Sequence, residues 1–235
     1  MSSSPSGGRD GSPGHGMTPV AAGPAARTPL PREVFDRPVL DLAPLLLGCE
    51  LAGRGVRLRI TEVEAYCGAV DPGSHAFRGR SARNATMFGP PGHLYVYRHM
   101  GLHVCMNIVA DAEGVATGCL IRAGEIVDGA DLARERRSAR GVTRRDRDLA
   151  QGPGRATVAC GVTWEDDGMD LCVGPLRVLP RDPALPAPVV ATGPRIGLRA
   201  EASDPVRFPW RFRILGDPTV SGPAALNRAT PPPLA

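Results

Sequence analysis

The sequence contains no lysine, so all 28 of its basic residues are arginine. An enzyme that attacks its substrate through a Schiff base requires an amine nucleophile. In this chain the N-terminal amine is the only candidate for that role. We therefore expect no Schiff-base chemistry from an internal side chain.

Long apolar runs and paired cysteines are also missing. No apolar run approaches the roughly 18 residues that a membrane-spanning helix needs, and the N-terminal segment lacks the apolar stretch of a signal peptide. The six cysteines occur singly, never as Cys-x-x-Cys, within apolar or strand-like runs, which is typical of buried reduced thiols. We expect a cytoplasmic protein that does not associate with membranes.

The length of 235 residues fits one domain with tails. Residues 1–32 are rich in serine, glycine and proline and contain no aromatic side chain, which predicts a disordered N-terminal tail. Residues 222–235 include Pro231–Pro233 and are predicted to form a flexible C-terminal tail. The folded domain is therefore predicted at residues 33–221.

One segment near the start of this domain alternates with the period of two that is typical of a half-buried strand. The alternation runs through Val56–Ile60 and continues to Glu62, Glu64 and Tyr66. It predicts that both carboxylates share the inward face of the strand with the preceding apolar residues. A β-bulge in the strand would reassign them.

Two helices are predicted in the same domain. Val39–Ala52 reads as a short apolar helix that is interrupted near Pro44. Asp128 is the predicted N-cap of a second helix, which runs to about Arg140 and stops at Gly141.

Strands dominate the centre of the chain. His93–Ala110, with Gly101 in its middle, predicts a long bulged hairpin, and Val115–Arg122 predicts the next strand. Further strands are expected near Leu171–Val178 and Phe212–Leu215. Because no β-α-β alternation is evident, we predict a mixed α/β (α+β) domain, with a curved, largely antiparallel β-sheet and helices packed outside it.

Aromatic residues make up only 4% of the chain, yet all of its tyrosines fall in one region together with most of its histidines. The residues concerned are Tyr66, His75, His93, Tyr95, Tyr97, His99 and His103. Packing in the core is one interpretation, and for Tyr95 it is the preferred one. Tyr66 and Tyr97 have polar neighbours, and such rings beside a histidine are suited to stacking on a flat purine.

Two kinds of hydrolytic site are compatible with the polar residues of this region. An inward-facing Glu62 or Glu64 close to Arg122 is able to orient and deprotonate a water molecule, although a glutamate on a strand more often faces solvent. The spacing His99-x-x-x-His103 suits a zinc site on a helix. This segment reads as a strand, however, which argues against a metal.

The net charge of +4 permits a polyanionic partner without requiring one. Arginines are concentrated between Arg134 and Arg147, where they are interleaved with acidic residues, and again at Arg78, Arg80 and Arg83. The first run is interpreted either as a solvated face or as a set of phosphate-binding side chains.

Several separate motifs in one order resemble the alkyladenine (3-methyladenine) DNA glycosylase family. The motifs are Glu62–Gly68, His75, Arg83–Asn84, Met87–Phe88, Pro91–Tyr97, Cys105–Ile108, Leu120–Ala123, Gly152–Arg155, Arg195–Gly197, Arg211–Phe212 and Gly216–Pro218. The likeness covers roughly residues 34–221. It implies a repair enzyme that flips a damaged purine out of double-stranded DNA and hydrolyses its N-glycosidic bond without metal or cofactor.

The resemblance also implies roles for individual residues. Glu64 would activate the attacking water, which Arg122 and the backbone carbonyl of Ile196 would help to hold. The flipped base would be enclosed by Tyr66, His75 and Tyr97, and Asn107 would reject the exocyclic amine of normal guanine. The residues that would contact DNA are Ser81, Met100, Leu102, His103 and Arg155.

One position departs from the family pattern, because Met100 stands where a tyrosine usually wedges into the gap left by the flipped nucleotide. Methionine is apolar and able to intercalate, but it lacks the stacking energy of the ring. Because the chain has no lysine, we expect a monofunctional enzyme that leaves an intact abasic site, and a monomer is the default expectation for an enzyme that must envelop a duplex. Two alternatives stay open: a catalytically impaired DNA-binding module of the same fold, and a metal-dependent hydrolase that uses His99, His103 and Glu64.

Overall fold

The computed structural model describes residues 27–99, 101 and 103–227, with the side chains of residues 225 and 226 left out. Within these residues the chain forms one mixed α/β domain around an antiparallel, open sheet, as the sequence predicts. The strands are β1 (Glu50–Gly53), β2 (Val56–Tyr66), β3 (Leu94–His99), β4 (His103–Val109), β5 (Gly118–Asp128), β6 (Leu176–Leu179), β7 (Val190–Gly193) and β8 (Arg211–Ile214). The helices are α1 (Val39–Leu46), α2 (Ala130–Ser138), α3 (Pro153–Ala159) and α4 (Ala224–Asn227).

Short 3₁₀ segments connect several of these elements. They are Arg32–Val34, Gly68–Val70, Ala82–Phe88, Asp146–Asp148, Trp164–Asp166 and Ala200–Ser203. No helix in the described part of the chain is long and apolar enough to cross a membrane.

Strand β2 lies at the centre of the sheet, whose order is β3-β4-β5-β2-β1-β6. The first half of β2 pairs with β1, whereas its second half, from Glu62 to Glu64, pairs with β8, which in turn pairs with β7. All of these strand pairs are antiparallel.

An irregularity in β2 changes which residues face the main core. The register of β2 against β5 shifts between Ile60 and Glu62 and again between Glu62 and Val63. Leu58 and Ile60 belong to the main apolar cluster, and beyond the shift that cluster continues with Val63 and Ala65. The expectation that Glu62 and Glu64 share a face with the apolar residues before them is therefore wrong, because the bulge inverts the alternation.

The first predicted helix is shorter than expected. Helix α1 continues past Pro44 but ends at Leu46, and Gly48 adopts a positive φ of 84°. The next residues form β1, which pairs with both β2 and β6. Tertiary pairing thus draws the last residues of the predicted Val39–Ala52 helix into the sheet.

The second helix also starts differently from the prediction. Asp128 is the last residue of β5 and forms an ion pair with Arg57 instead of capping α2. The N-cap position is held by Gly129 with a φ of 74°, and a Cβ there would lie 2.0 Å from the carbonyl oxygen of Gly55. This close approach requires glycine between β5 and α2.

The predicted hairpin is confirmed, but the pairing of β3 with β4 runs without a bulge from Leu94↔Ile108 to His99↔His103. Its two faces pack on different apolar groups, because successive residues of a strand point to opposite faces. The main cluster fills the space between the sheet and the helices α1 and α3, while a smaller one joins Met87, Tyr95 and Val109 beneath Tyr97.

In both predicted tails, described residues next to the domain contact it. Arg27 forms an ion pair with Glu50, and the N–H of Leu30 donates to the carbonyl of Val178. At the other end, Asn227 of α4 accepts a hydrogen bond from Arg211. The division into tails and domain stays a prediction, and most of the N-terminal segment lies outside the described residues.

Candidate active site

Two buried carboxylates project from β2 towards the neighbouring strand β5, and both contact Arg122. Arg122 Nη1 lies 3.3 Å from Glu64 Oε1, and Arg122 Nε lies 3.2 Å from Glu62 Oε1. The side chains of Glu62 and Glu64 are both 0% exposed. One guanidinium thus contacts two carboxylates that are removed from bulk water.

Glu64 accepts further hydrogen bonds from both sides. The backbone N–H of Ile196 donates to Oε1 at 2.8 Å, and the hydroxyl of Tyr66 donates to Oε2 at 2.9 Å. Burial raises the pKa of Glu64 above its usual value of 4.5, while Arg122 and these hydrogen bonds oppose that shift. The result is a carboxylate that is more basic than one in water.

The carbonyl of Ile196 lies close to the same groups. Arg122 Nη1 donates to the Ile196 oxygen at 3.4 Å, and the same nitrogen contacts Glu64. A carboxylate, a guanidinium and a backbone carbonyl therefore converge on one point. The three predicted catalytic residues are brought together here, although they come from separate parts of the chain.

A cavity of about 290 Å³ opens directly in front of this group. Among its lining residues are Tyr66, His75, Tyr97, Asn107, Arg122 and Ile196, all of which the sequence singled out. Glu64 itself is buried and does not line the cavity. Three residues that contact its carboxylate, Tyr66, Arg122 and Ile196, do line the cavity.

Aromatic rings form one side of the cavity. The rings of His75 and Tyr97 are nearly perpendicular, with centroids 4.5 Å apart, and Tyr97 stacks on Tyr95 at 5.8 Å. His75 Nδ1 lies 2.9 Å from the hydroxyl of Tyr95. Burial, followed by the charges of Arg83 and His99, lowers the pKa of His75, so its imidazole is neutral at neutral pH.

Tyr95 has more than the packing role that the sequence predicts. It is buried in the smaller apolar cluster, as expected, but its hydroxyl contacts His75 and its carbonyl accepts a hydrogen bond of 3.1 Å from Asn107 Nδ2. Tyr95 therefore fixes the orientation of two side chains that line the cavity.

Comparison with known proteins assigns the chain to a family. The model of the methylpurine-DNA glycosylase family matches residues 33–218. This chain belongs to that family. The resemblance found in the sequence motifs is thereby confirmed, and the protein is a DNA glycosylase of base excision repair.

Individual relatives are similar to this chain over most of their length. Several bacteria have such a relative with the name "Putative 3-methyladenine DNA glycosylase". The one from Streptomyces avermitilis is 52% identical over 202 residues, which are 83% of this chain and 92% of the relative. The one from Burkholderia lata is 47% identical over 206 residues, or 85% and 96% of the two chains.

Arg195 lies in one of the sequence motifs, but the sequence does not indicate that its partner is Asp71. The Arg195 guanidinium forms a two-pronged ion pair with Asp71, with both N···O distances at 2.6 Å and both side chains fully buried. It also donates to the carbonyls of Ala65 and Ala202 and lies 4.6 Å from the ring centroid of Tyr66. Arg195 thus holds Tyr66 and the adjoining Ile196 in place from behind the cavity.

The sequence also gives no indication of a second ion pair beside Arg122, which joins Glu62 to Arg211. Glu62 accepts hydrogen bonds from Arg211 Nε at 2.5 Å and from the backbone N–H of Ser221 at 2.7 Å. The hydroxyl of Ser221 in turn accepts from Arg122 at 3.2 Å. The segment after β8 therefore belongs to the hydrogen-bond network that holds Glu62 and Arg122.

The predicted DNA-contacting residues are dispersed. His103 and Arg155 line a groove of about 970 Å³ that shares His99, Cys105 and Pro153 with the cavity. Ser81 is exposed elsewhere, where it begins the segment Ala82–Phe88 and exchanges hydrogen bonds with Asn84. Met100 and Leu102 lie outside the described residues.

The alternative metal site is not assembled in this geometry. His99 and His103 face each other across the β3–β4 hairpin, whereas the carboxylate of Glu64 is bound to Tyr66, Arg122 and Ile196. Among the described residues no group of three or more histidine, cysteine, aspartate or glutamate side chains is arranged to hold a metal ion.

The Asp71–Arg195 pair predicts a large effect on stability. Asp71→Asn leaves the buried guanidinium without a counter-charge, so we expect the free energy of unfolding to fall by about 3–5 kcal/mol in a urea titration. Asp131→Asn is the matched control, because it makes the same change in the exposed pair with Arg134 and should leave the urea midpoint unchanged. Equal midpoints for the two variants would contradict the role assigned to Asp71.

Proposed function

We propose that this glycosylase flips alkylated or deaminated purines out of duplex DNA and hydrolyses their N-glycosidic bond with a water molecule activated by Glu64. The observation that carries the proposal is the convergence of Glu64, Arg122 and the Ile196 carbonyl behind a cavity lined by aromatic rings. The proposed substrates are purines of the 3-methyladenine, 7-methylguanine and hypoxanthine type.

In the proposed reaction Glu64 has two tasks. It accepts a proton from water as the water oxygen bonds to the anomeric carbon, while the electrons of the breaking C–N bond pass to the departing purine. Positive charge develops on the sugar at the same time, and an ionised carboxylate stabilises that charge. The hydrogen-bond partners of Glu64 support this role because they fix its orientation.

The state of His75 bears on which purines leave most easily. Alkylated purines already carry positive charge and need no proton to depart, whereas neutral lesions such as hypoxanthine require one. Because the pKa of His75 is lowered, little of its imidazole is protonated at neutral pH, so His75 rarely has a proton to donate. We therefore propose charged alkylated purines as the better substrates, with His75 orienting the base beside Tyr97.

Rejection of normal guanine is proposed to depend on Asn107. This side chain lines the cavity, and its amide is held by the carbonyl of Tyr95. It is therefore unable to swing away from an exocyclic amine that enters the site. Such discrimination is repulsive, because a normal base would leave polar groups badly paired.

The partner proposed for this site is double-stranded DNA that contains a damaged purine. We propose that the enzyme acts as a monomer on chromosomal DNA in the cytoplasm, at the nucleoid. Neither a metal ion nor a cofactor takes part in the proposed steps.

The first test replaces the proposed base. Glu64→Gln keeps the shape of the side chain but removes its basicity, so single-turnover excision from a duplex with one lesion should slow by about 10²–10⁴-fold while duplex binding persists. Glu125→Gln is the control, since it makes the same change at an exposed residue of β5, which pairs with Arg59, and should leave the rate unaltered. An undiminished rate for Glu64→Gln would refute the proposed mechanism and favour a DNA-binding module without this chemistry.

The second test concerns pH. The proposed base acts only when ionised, and burial raises its pKa above 4.5. Excision should therefore fall as the pH drops through that raised value, and the midpoint of the acid limb should lie above 4.5. A 3-methyladenine substrate is preferred, because its departure needs no protonation. A midpoint at or below 4.5, with the protein still folded by circular dichroism, is the opposing result.

The third test concerns the product. Because the chain has no lysine, we expect an intact abasic site and no covalent adduct when excision is run with borohydride. Gel electrophoresis before and after alkali treatment distinguishes an intact strand from a nicked one. Strand cleavage without alkali, together with a trapped adduct, would contradict a purely hydrolytic enzyme.

A further inference from the structure

The seven arginines of α2 and the loop after it do not share one role. The acidic residues of the same region neutralise three of them, with Asp131 and Asp146 on Arg134 and Asp148 on Arg145 and Arg147. A fourth is occupied by backbone carbonyls, since Arg136 donates to those of Ala159 and Arg54. Arg137 and Arg140 instead line the groove beside the active-site cavity.

Arg137 is unusual among them because it is buried without a counter-charge. The residue is 7% exposed, and no described residue forms a hydrogen bond or ion pair with its side chain. Its Nε is fully buried and unpaired. Burial, followed by the charge of Arg155, lowers the pKa of Arg137.

Burying the Nε of Arg137 without a hydrogen-bond partner destabilises the fold, since the lost hydration of this atom is not replaced. In this position Arg137 therefore indicates an anionic group that is supplied from outside the described chain. The neighbouring charge, that of Arg155, is also positive, so the site would attract an anion strongly.

The surroundings indicate which anion fits. Arg98, Arg137, Arg140 and Arg155 line the groove, and the only acidic residue of the described lining is Glu165. The groove of about 970 Å³ lies beside the cavity, since His99, Cys105 and Pro153 line both. A strand whose extruded base occupies the cavity would run its phosphates along this groove.

We propose that Arg137, together with Arg155, binds a backbone phosphate of the DNA strand next to the extruded nucleotide. The inference rests on the proposed function, because it takes DNA as the source of the anion. The planar guanidinium is well suited to phosphate oxygens. Arg134, one turn earlier on the same helix, belongs to the solvated face and not to this site.

The experiment compares Arg137→Met with Arg134→Met on an undamaged duplex. Methionine keeps the aliphatic bulk of Arg137 and removes its charge. We expect the affinity of Arg137→Met to fall about tenfold and the slope of log Kd against log salt concentration to decrease by about 1. Arg134→Met should match the unmodified protein, and Arg137→Lys should recover most of the lost affinity.

Thermal unfolding separates this site from a structural role. Because the lost charge had no partner, Arg137→Met should unfold at the same or a higher temperature than the unmodified protein. A much lower unfolding temperature, with lost affinity that Arg137→Lys does not restore, would overturn the proposal. Unchanged affinity and an unchanged salt slope for Arg137→Met would overturn it as well.

Inorganic phosphate distinguishes a free anion from DNA. If phosphate protects the unmodified protein against unfolding but not Arg137→Met, while both bind the duplex equally, the site takes free anions and the proposal fails. Because the duplex is undamaged, the result does not depend on excision. Normal excision by Glu64→Gln would refute the proposed mechanism and leave the phosphate site standing.

Discussion

The sharing of Arg122 between Glu62 and Glu64 is the interaction on which the rest of the site depends. Two carboxylates removed from water, on one stretch of β2, would repel each other and destabilise the fold without a shared cation. Arg122 forms ion pairs with both carboxylates, and Arg211 forms one with Glu62. The backbone N–H groups of Ile196 and Ser221 donate to Glu64 and Glu62, respectively. This network joins β2, β5, β8 and the segments beside them into one unit.

The same network links the proposed chemistry to stability. Glu64 has a higher pKa when folded than when unfolded, so the folded chain holds its proton more tightly. The contribution of Glu64 to stability is therefore present below the unfolded pKa and is lost as the pH rises through the raised folded value. The ionised state that the proposed reaction uses is thus the state that the fold favours less. Arg122, Tyr66 and the Ile196 N–H offset part of that cost, which is a common compromise at functional sites.

Local patterns in the sequence predicted much of the fold. The β3–β4 hairpin and the antiparallel sheet follow from alternation and turn residues near one another in the chain. The face of the sheet on which Glu62 and Glu64 lie was not predictable from local patterns. The bulge after Ile60 depends on the change of neighbour along β2, from β1 to β8. The predicted end of α1 is wrong for a similar reason, since the residues that follow the helix form β1 through their pairing with β2 and β6.

The candidate site was predictable where motifs carry the information. Glu64, Arg122, Tyr66 and Tyr97 lie in motifs that resemble the family, whereas the Asp71–Arg195 pair joins residues 124 positions apart and leaves no local pattern. Arg137 and Arg134 look alike in sequence, and only the packing of α2 beside α3 buries one and exposes the other. Ion pairs between distant segments are a property of the folded chain.

The most direct measurement of the central claim is a crystal structure of Glu64→Gln bound to a duplex with one modified purine. The account predicts that the purine lies in the cavity between Tyr66, His75 and Tyr97, with the anomeric carbon turned towards residue 64. It also predicts an ordered water between residue 64, Arg122 and the Ile196 carbonyl. A purine that stays stacked in the duplex, or one that enters the cavity with its sugar turned away from residue 64, would contradict it.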